Sequence, residues 1–199
     1  TFTMKTTKGE AFTHTYGDAM LHLVNHSSYH RGQVASLLRQ GRHLSRILPL
    51  GAEGLDKLYG IRGLAYAGIA FSGRQGWLKQ ALDLLQQETA QQILPDGGHI
   101  SRSPQQLLDA LRIFVDIRAA LLAGQYQAPE QITHTIDRMA QALRFFRCAD
   151  KGFFLFNGTQ EGDAALVDAV LARANTRGKV LSGLPQSGYQ RASLGRSVL

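Results

Sequence analysis

The chain has 199 residues, of which 44% are apolar and 19% charged, as in a folded globular protein long enough for one large domain or two small ones. Its single cysteine, Cys148, excludes an internal disulfide and a cysteine-based zinc knuckle. The sequence has no run of about 18 apolar residues, so it predicts no transmembrane helix.

The net charge is +7, and after Asp168 the chain contains basic residues and no acidic ones: Arg173, Arg177, Lys179, Arg191 and Arg196. A basic surface favours a polyanionic partner. The alternative is that the composition is rich in arginine without serving a specific partner. Because no basic stretch is interleaved with aromatic residues, we expect no nucleic-acid binding.

The N-terminus lacks the order of a secretion signal and begins with Thr1, so we expect a fragment. Residues 1–16 predict an extended entry. Asp18 is predicted to cap a helix that runs to about Gln40. Gly41 and Pro49–Gly51 are predicted to interrupt the helical pattern after that.

Further helices are predicted over residues 55–71, 76–94 and 103–123, and from Pro129, with Ser103 as a cap. The intervening segment 94–100 predicts a tight turn in which Gly97 and Gly98 supply positive φ angles. Helices joined by such short links pack as antiparallel pairs in a layered array.

Residues 151–158 predict a short strand that ends in a turn at Asn157–Gly158, with the phenylalanines around it in the core. Another helix follows over 161–178, and residues 184–199 predict the start of a β-structure. The pattern predicts a mainly α fold with a late β element.

Histidines at positions i and i+4 lie on one helical face, so His26 and His30 could share a metal ion. His22 is about 12 Å from His30 along the axis and cannot join them. The stretch LHLVNHSSYHRGQVASLLRQ resembles the last helix of the DinB family over residues 12–40. The resemblance implies a divalent metal held by three histidines, two of which match His26 and His30.

Residues 42–199 contain, in this order, the segments RHLSRILP, GLAYAGIAF, WLKQALDLLQQETAQQILPDGGHISRSP, RMAQALRFFR, FLFNG and SGYQR. In order and spacing, these segments resemble the heparinase II/III family, particularly a bacterial branch. The resemblance implies a partial (α/α) toroid followed by a β-sandwich. The implied domains are a DinB-like helix over 1–40, the toroid over 41–180 and a truncated β-domain over 181–199.

The family implies β-elimination on a uronic acid within an acidic polysaccharide, without a required cofactor. Where members have Glu-x-Ser-Pro-x-Tyr-His, this chain has Arg102 near the acid and Gln106–Leu107 in place of Tyr-His. The family's Asn-His pair falls at Leu55–Asp56. His99 is the candidate catalytic residue, with a loop histidine that bonds nearby backbone as the alternative. The candidate substrate contacts are Asp96, Arg102 and Gln106.

The primary hypothesis is a lyase-like fragment that acts on acidic polysaccharide, with its catalytic residues largely replaced and activity not expected. The alternatives are a non-catalytic glycan-binding toroid and a remnant of a DinB-like metal-dependent enzyme. The two resemblances meet inside SLLRQGRHLSR, and such a join is expected from a gene fusion, a recombination event or an assembly error. The location stays open between the bacterial cytoplasm and the periplasm or cell envelope.

Overall fold

The computed structural model describes residues 1–148, 151–176, 180–194 and 197–198. The chain divides into two compact units, Thr1–Arg42 and His43–Leu199. The three predicted domains stay a prediction. Within the described residues, no helix has the length and apolar character needed to cross a membrane.

The first unit begins with a β-hairpin where an extended entry was expected. Strand β1 (Phe2–Lys5) pairs antiparallel with β2 (Ala11–His14), so that Phe2 lies opposite His14. Gly9, with a φ of 84°, occupies the connecting turn. Glycine adopts this left-handed conformation without the steric cost that other residues incur.

Helix α1 (Tyr16–Ile47) is longer than predicted at both ends. Its start is set by Thr15, whose Oγ1 accepts a hydrogen bond from the Asp18 amide at 3.0 Å. In return, the Asp18 carboxylate accepts from the Thr15 hydroxyl at 2.6 Å, and this bond lowers the pKa of Asp18. The prediction that Asp18 is the cap was therefore wrong, because it is the second member of a reciprocal capping pair.

The predicted interruption at Gly41 was also wrong. Gly41 lies buried inside α1, which continues to Ile47 and ends before Pro49. A single glycine costs a helix only about 1 kcal/mol relative to alanine, whereas proline removes a backbone donor and clashes with the preceding turn.

In the part of the second unit that the structure describes, the end of α1 is followed by five further helices. They are α2 (Gly54–Ala70), α3 (Gln75–Gln92), α4 (Pro104–Ala123), α5 (Glu130–Phe145) and α6 (Ala164–Ala174). Two small antiparallel pairs follow: β3 (Gly183–Leu184) with β4 (Tyr189–Gln190), and β5 (Ser193–Leu194) with β6 (Ser197–Val198). The predicted mainly α fold with a late β element is confirmed.

Helix α4 is the centre of the second unit and packs against α2, α5 and α6. Its fully buried side chains point to more than one side of the helix: Leu107, Leu111, Ile113, Phe114, Ile117 and Leu121. Burial of one such side chain is worth about 1.5–3 kcal/mol. The helix starts where the sequence predicted, with the Ser103 hydroxyl accepting from the Gln106 amide and Pro104 in the first turn.

The predicted strand over 151–158 is wrong. Only an isolated bridge between Arg147 and Phe153 forms there. From this segment, Phe156 instead joins an aromatic cluster, in which it and Phe146 both contact the ring of Tyr189. Asn157 and Gly158 form the predicted turn, with φ angles of 48° and 76°.

Two of the late basic residues stabilise the fold. Arg173 forms an ion pair with Asp116 at 2.7 Å, and Arg191 donates to the carbonyls of Phe145 and Arg147. The other three, Arg177, Lys179 and Arg196, lie outside the described residues. The positive net charge is therefore not by itself a measure of free cationic surface.

The contact between α2 and α3 gives a test of this packing. A Cβ added at Gly68 would lie 2.4 Å from the Leu78 backbone nitrogen, whereas one at Gly76 would meet nothing within 4 Å. We expect Gly68→Ala to lower the free energy of unfolding by about 1–3 kcal/mol through overpacking. Gly76→Ala should be neutral or stabilising by up to about 1 kcal/mol in urea denaturation. Equal effects would contradict the close helix contact.

Candidate ligand-binding groove and connector

The segment that joins α3 to α4, residues 94–103, is called the connector. It contains three of the predicted site residues, Asp96, His99 and Arg102, while Gln106 follows in the first turn of α4. A bridge between Ile93 and His99 closes its base, and the Leu94 amide donates to the Gly98 carbonyl at 2.8 Å. The predicted tight turn is confirmed.

The two glycines of the connector are required for different reasons. Gly97 has a φ of 86°, and a Cβ there would lie 2.2 Å from the Arg138 carbonyl oxygen. Gly98 does not have the predicted positive φ. It is needed for space, because its Cβ would lie 2.0 Å from the Ser187 hydroxyl oxygen.

Asp96 attaches the connector to the turn between β3 and β4. Its carboxylate accepts from the Ser187 amide at 2.7 Å and from the Ser187 hydroxyl at 2.8 Å. It also accepts from the Gly98 amide at 3.0 Å. Three hydrogen bonds to one carboxylate form a structural link, and the predicted substrate contact of Asp96 stays a prediction.

Arg102 also lies at a junction of the fold. Its φ is 57°, and its backbone carbonyl accepts from the Asn157 amide group at 3.0 Å and from the Tyr189 hydroxyl at 3.2 Å. The Arg102 side chain is exposed, and Gln106 is half-buried. The roles of these two side chains toward a substrate stay predictions.

His99 is only 4% exposed, and both of its ring nitrogens have partners. Nδ1 accepts from the Ser101 amide at 3.2 Å and lies 2.7 Å from the Ser101 hydroxyl. Nε2 therefore carries the hydrogen in the neutral ring and donates to the Gln92 carbonyl oxygen at 3.3 Å. Burial lowers the pKa of His99 because desolvation disfavours the charged ring.

The hydrogen bonds continue from His99 through the interior. The Gln92 amide group donates to the Glu88 carboxylate at 2.6 Å and to the Gly54 carbonyl at 3.1 Å, and Lys57 pairs with Glu88 at 2.8 Å. A cavity of about 490 Å³ adjoins this network. Among the described residues, its lining includes Glu53, Glu88 and a single cation, Lys57, so its charge disfavours an anion.

A second recess, called the groove, lies between α3 and α5 and has a volume of about 500 Å³. One wall includes Gln86 and Thr89, and the other includes Gln131, His134 and Arg138. Pro95 of the connector lies at its edge, and Arg138 donates to the Pro95 carbonyl at 3.2 Å. Arg138 is exposed, and no carboxylate lines the groove among the described residues.

This groove is not among the sites that the sequence predicts. His134 and Arg138 are spaced i and i+4 on α5, which places them on one face. That spacing was a usable signal, but it could not show that α3 supplies the opposite wall.

In the first unit, His26 and His30 form the pair that the sequence predicted. Their Nε2 atoms lie 3.0 Å apart, and the His30 Nδ1 lies 2.9 Å from the Gln33 side-chain oxygen. Across the described residues, no group of three or more histidine, cysteine or acidic side chains is arranged to hold a metal ion. A metal at His26 and His30 stays a prediction.

The buried state of His99 predicts a pH dependence of stability. A lowered pKa in the folded protein means that the unfolded chain binds the proton first as the pH falls. The free energy of unfolding should therefore decrease as the pH is lowered below about 6.5, the pKa of a histidine in an unfolded chain.

In urea denaturation between about pH 8 and pH 5, His99→Gln should reduce this slope. His134→Gln, at an exposed position, should keep the wild-type slope. An unchanged slope in His99→Gln would contradict this assignment.

Two family models match the chain. The model described as Heparinase II/III N-terminus matches residues 28–177, and that of the DinB family matches residues 3–47. Both predicted resemblances are confirmed, and the two matches overlap within α1.

The FtsZ-localized protein C of Caulobacter vibrioides is 32% identical over 160 residues, which is 79% of this chain. A crystal structure of heparinase III superposes on 66% of this chain with a TM-score of 0.58 and 18% identity, which shows a shared fold. The chain spans 27% of the length of the first protein and 22% of the second.

The heparinase II/III model matches residues 28–177, which is most of the chain. The chain therefore belongs to the heparinase II/III family.

Proposed function

We propose that the second unit binds a uronic-acid-containing polysaccharide in the groove without cleaving it. The observation that supports this most directly is the position of Arg138, an exposed cation in a groove whose described lining contains no carboxylate. A guanidinium can hold a sugar carboxylate through two parallel hydrogen bonds.

The polar part of the remaining lining suits a sugar ring. The exposed amides of Gln86 and Gln131 can donate to and accept from ring hydroxyls, and the Thr89 oxygen, whose hydrogen bonds to the Leu85 carbonyl, can accept from one. The cavity next to Glu88 is a poorer candidate, because an acidic sugar there would meet two carboxylates and one lysine that is already paired.

The residues of the connector support binding without chemistry. A general base needs an accessible acceptor atom within reach of the substrate proton. His99 is buried, and its acceptor nitrogen is engaged by Ser101. At the positions of the family's Tyr-His, Gln106 does not titrate, and Leu107 is fully buried in the core.

Removal of the groove cation tests the proposal. We expect Arg138→Ala to weaken binding of a polyuronate oligosaccharide about tenfold in calorimetry, which corresponds to about 1.4 kcal/mol. Lys79→Ala is the matched control, because it removes one exposed cation from α3 outside the groove. Circular dichroism checks that both variants remain folded.

The same samples are examined for absorbance of an unsaturated uronate product, which should not accumulate. Accumulation would contradict the non-catalytic part of the proposal. Absence of binding in the wild type, or equal weakening in Lys79→Ala, would contradict the binding site.

A second candidate function is localisation to FtsZ. It is supported by the 32% identity over 160 residues with a protein named for that localisation. Most of that alignment must fall in the second unit, because the first unit has only 42 residues.

A fluorescent fusion of the whole chain, expressed in Caulobacter vibrioides with labelled FtsZ, tests this function. We expect overlap of the two signals, and we expect it to persist in Arg138→Ala because that change affects only the groove. Diffuse fluorescence of the folded wild-type fusion would contradict this candidate and leave the glycan proposal unaffected.

A further inference from the structure

Helix α1 has a row of residues on one face that is called the α1 stripe. Its members follow alternating steps of three and four residues: Met20, Leu23, Ser27, His30, Val34 and Leu37. This spacing is the heptad pattern by which two helices pack along a shared seam. Its apolar members are exposed, from 52% for Val34 to 64% for Met20.

The α1 stripe is complementary to itself. When two copies of the helix run antiparallel about a two-fold axis between Ser28 and Tyr29, the layers pair Met20 with Leu37, Leu23 with Val34 and Ser27 with His30. Each layer then pairs an a position of one copy with a d position of the other copy, as an antiparallel helix pair requires. A two-fold interface needs this kind of self-complementary surface.

We propose that two copies of the chain associate through their α1 stripes as an antiparallel helix pair. The occupant of the exposed face is thus a second copy. The apolar side chains of the second copy cover the four exposed apolar residues of the stripe and form the outer layers of the pair. The polar residues Ser27 and His30 form the central layers. A polar layer inside an apolar seam fixes the register at some cost in stability.

The heptad register continues beyond the exposed face to a surface that already packs. Read onward, it passes through Gly41 to Leu44 and Leu48. Within the second unit, these leucines contact α2 where it presents Gly60 and Gly63. Residues at the same heptad spacing therefore already pack against a helix within the second unit.

The residues beside the α1 stripe fit a second copy better than a charged partner. The flanking heptad positions are mostly uncharged: Ala19, Val24, His26, Gln33, Leu38 and Gln40. Charges at these positions normally select the partner of a helix pair. The exception is Arg31, and its two copies would lie about 7.5 Å apart along the axis, on either side of the two-fold.

Sedimentation velocity of the whole chain over a range of concentrations tests the proposal. We expect a monomer–dimer equilibrium whose dissociation constant rises at least about tenfold in Leu23→Glu, equivalent to about 1.4 kcal/mol. Leu21→Glu is the matched control, since Leu21 and Leu23 are 61% and 60% exposed on the same helix and only Leu23 belongs to the stripe. A wild type that stays monomeric, or equal weakening in both variants, would overturn the proposal.

Disulfide trapping in a Cys148→Ser background tests the orientation and does not depend on the folding of Leu23→Glu. Chains with Met20→Cys and chains with Leu37→Cys should cross-link when mixed, because these positions share a layer. Chains with Met20→Cys alone should not, because their two copies would lie about 25 Å apart. Efficient cross-linking of Met20→Cys to itself, or of none of the pairs, would overturn the antiparallel dimer.

Discussion

The burial of α4 is the constraint on which the rest of the second unit depends. A helix with fully buried Leu107, Ile113, Phe114 and Ile117 needs neighbours on several sides, and α2, α5 and α6 supply them. This arrangement fixes where α4 must begin, and so fixes the end point of the connector. Leu107, at the position where the family resemblance implies a histidine, is one of the fully buried residues of this helix.

The connector residues that the sequence predicted as site residues make structural hydrogen bonds. Asp96 is bonded to Ser187, His99 to Ser101 and Gln92, and the Arg102 carbonyl to Asn157 and Tyr189. The bonds of Asp96 and of the Arg102 carbonyl join the connector to residues 55 to 91 positions away in the chain. The groove lies beside the connector, and its exposed Arg138 is why we propose binding there.

The helices and the turn at Gly97 could be predicted because their signals are local. A Ser-Pro start and a glycine at a left-handed position act within a few residues. The Thr15–Asp18 capping pair is also local, but the sequence pattern predicted the cap at Asp18, whereas Thr15 is the capping residue. The groove, the Asp96–Ser187 bond and the network from His99 to Lys57 could not be predicted, because they join residues up to 91 positions apart. The strand over 151–158 failed for the same reason, since tertiary aromatic contacts with Tyr189 overrode its local β-propensity.

Glycan binding in the groove can be measured by hydrogen exchange of the whole chain with saturating polygalacturonate, followed together with the absorbance of unsaturated uronate. We expect slower amide exchange in peptides that cover residues 82–95 and 129–138, which form the groove, with no rise in absorbance. Protection confined to residues 49–57 next to Glu88, or a steady rise in absorbance, would contradict this expectation.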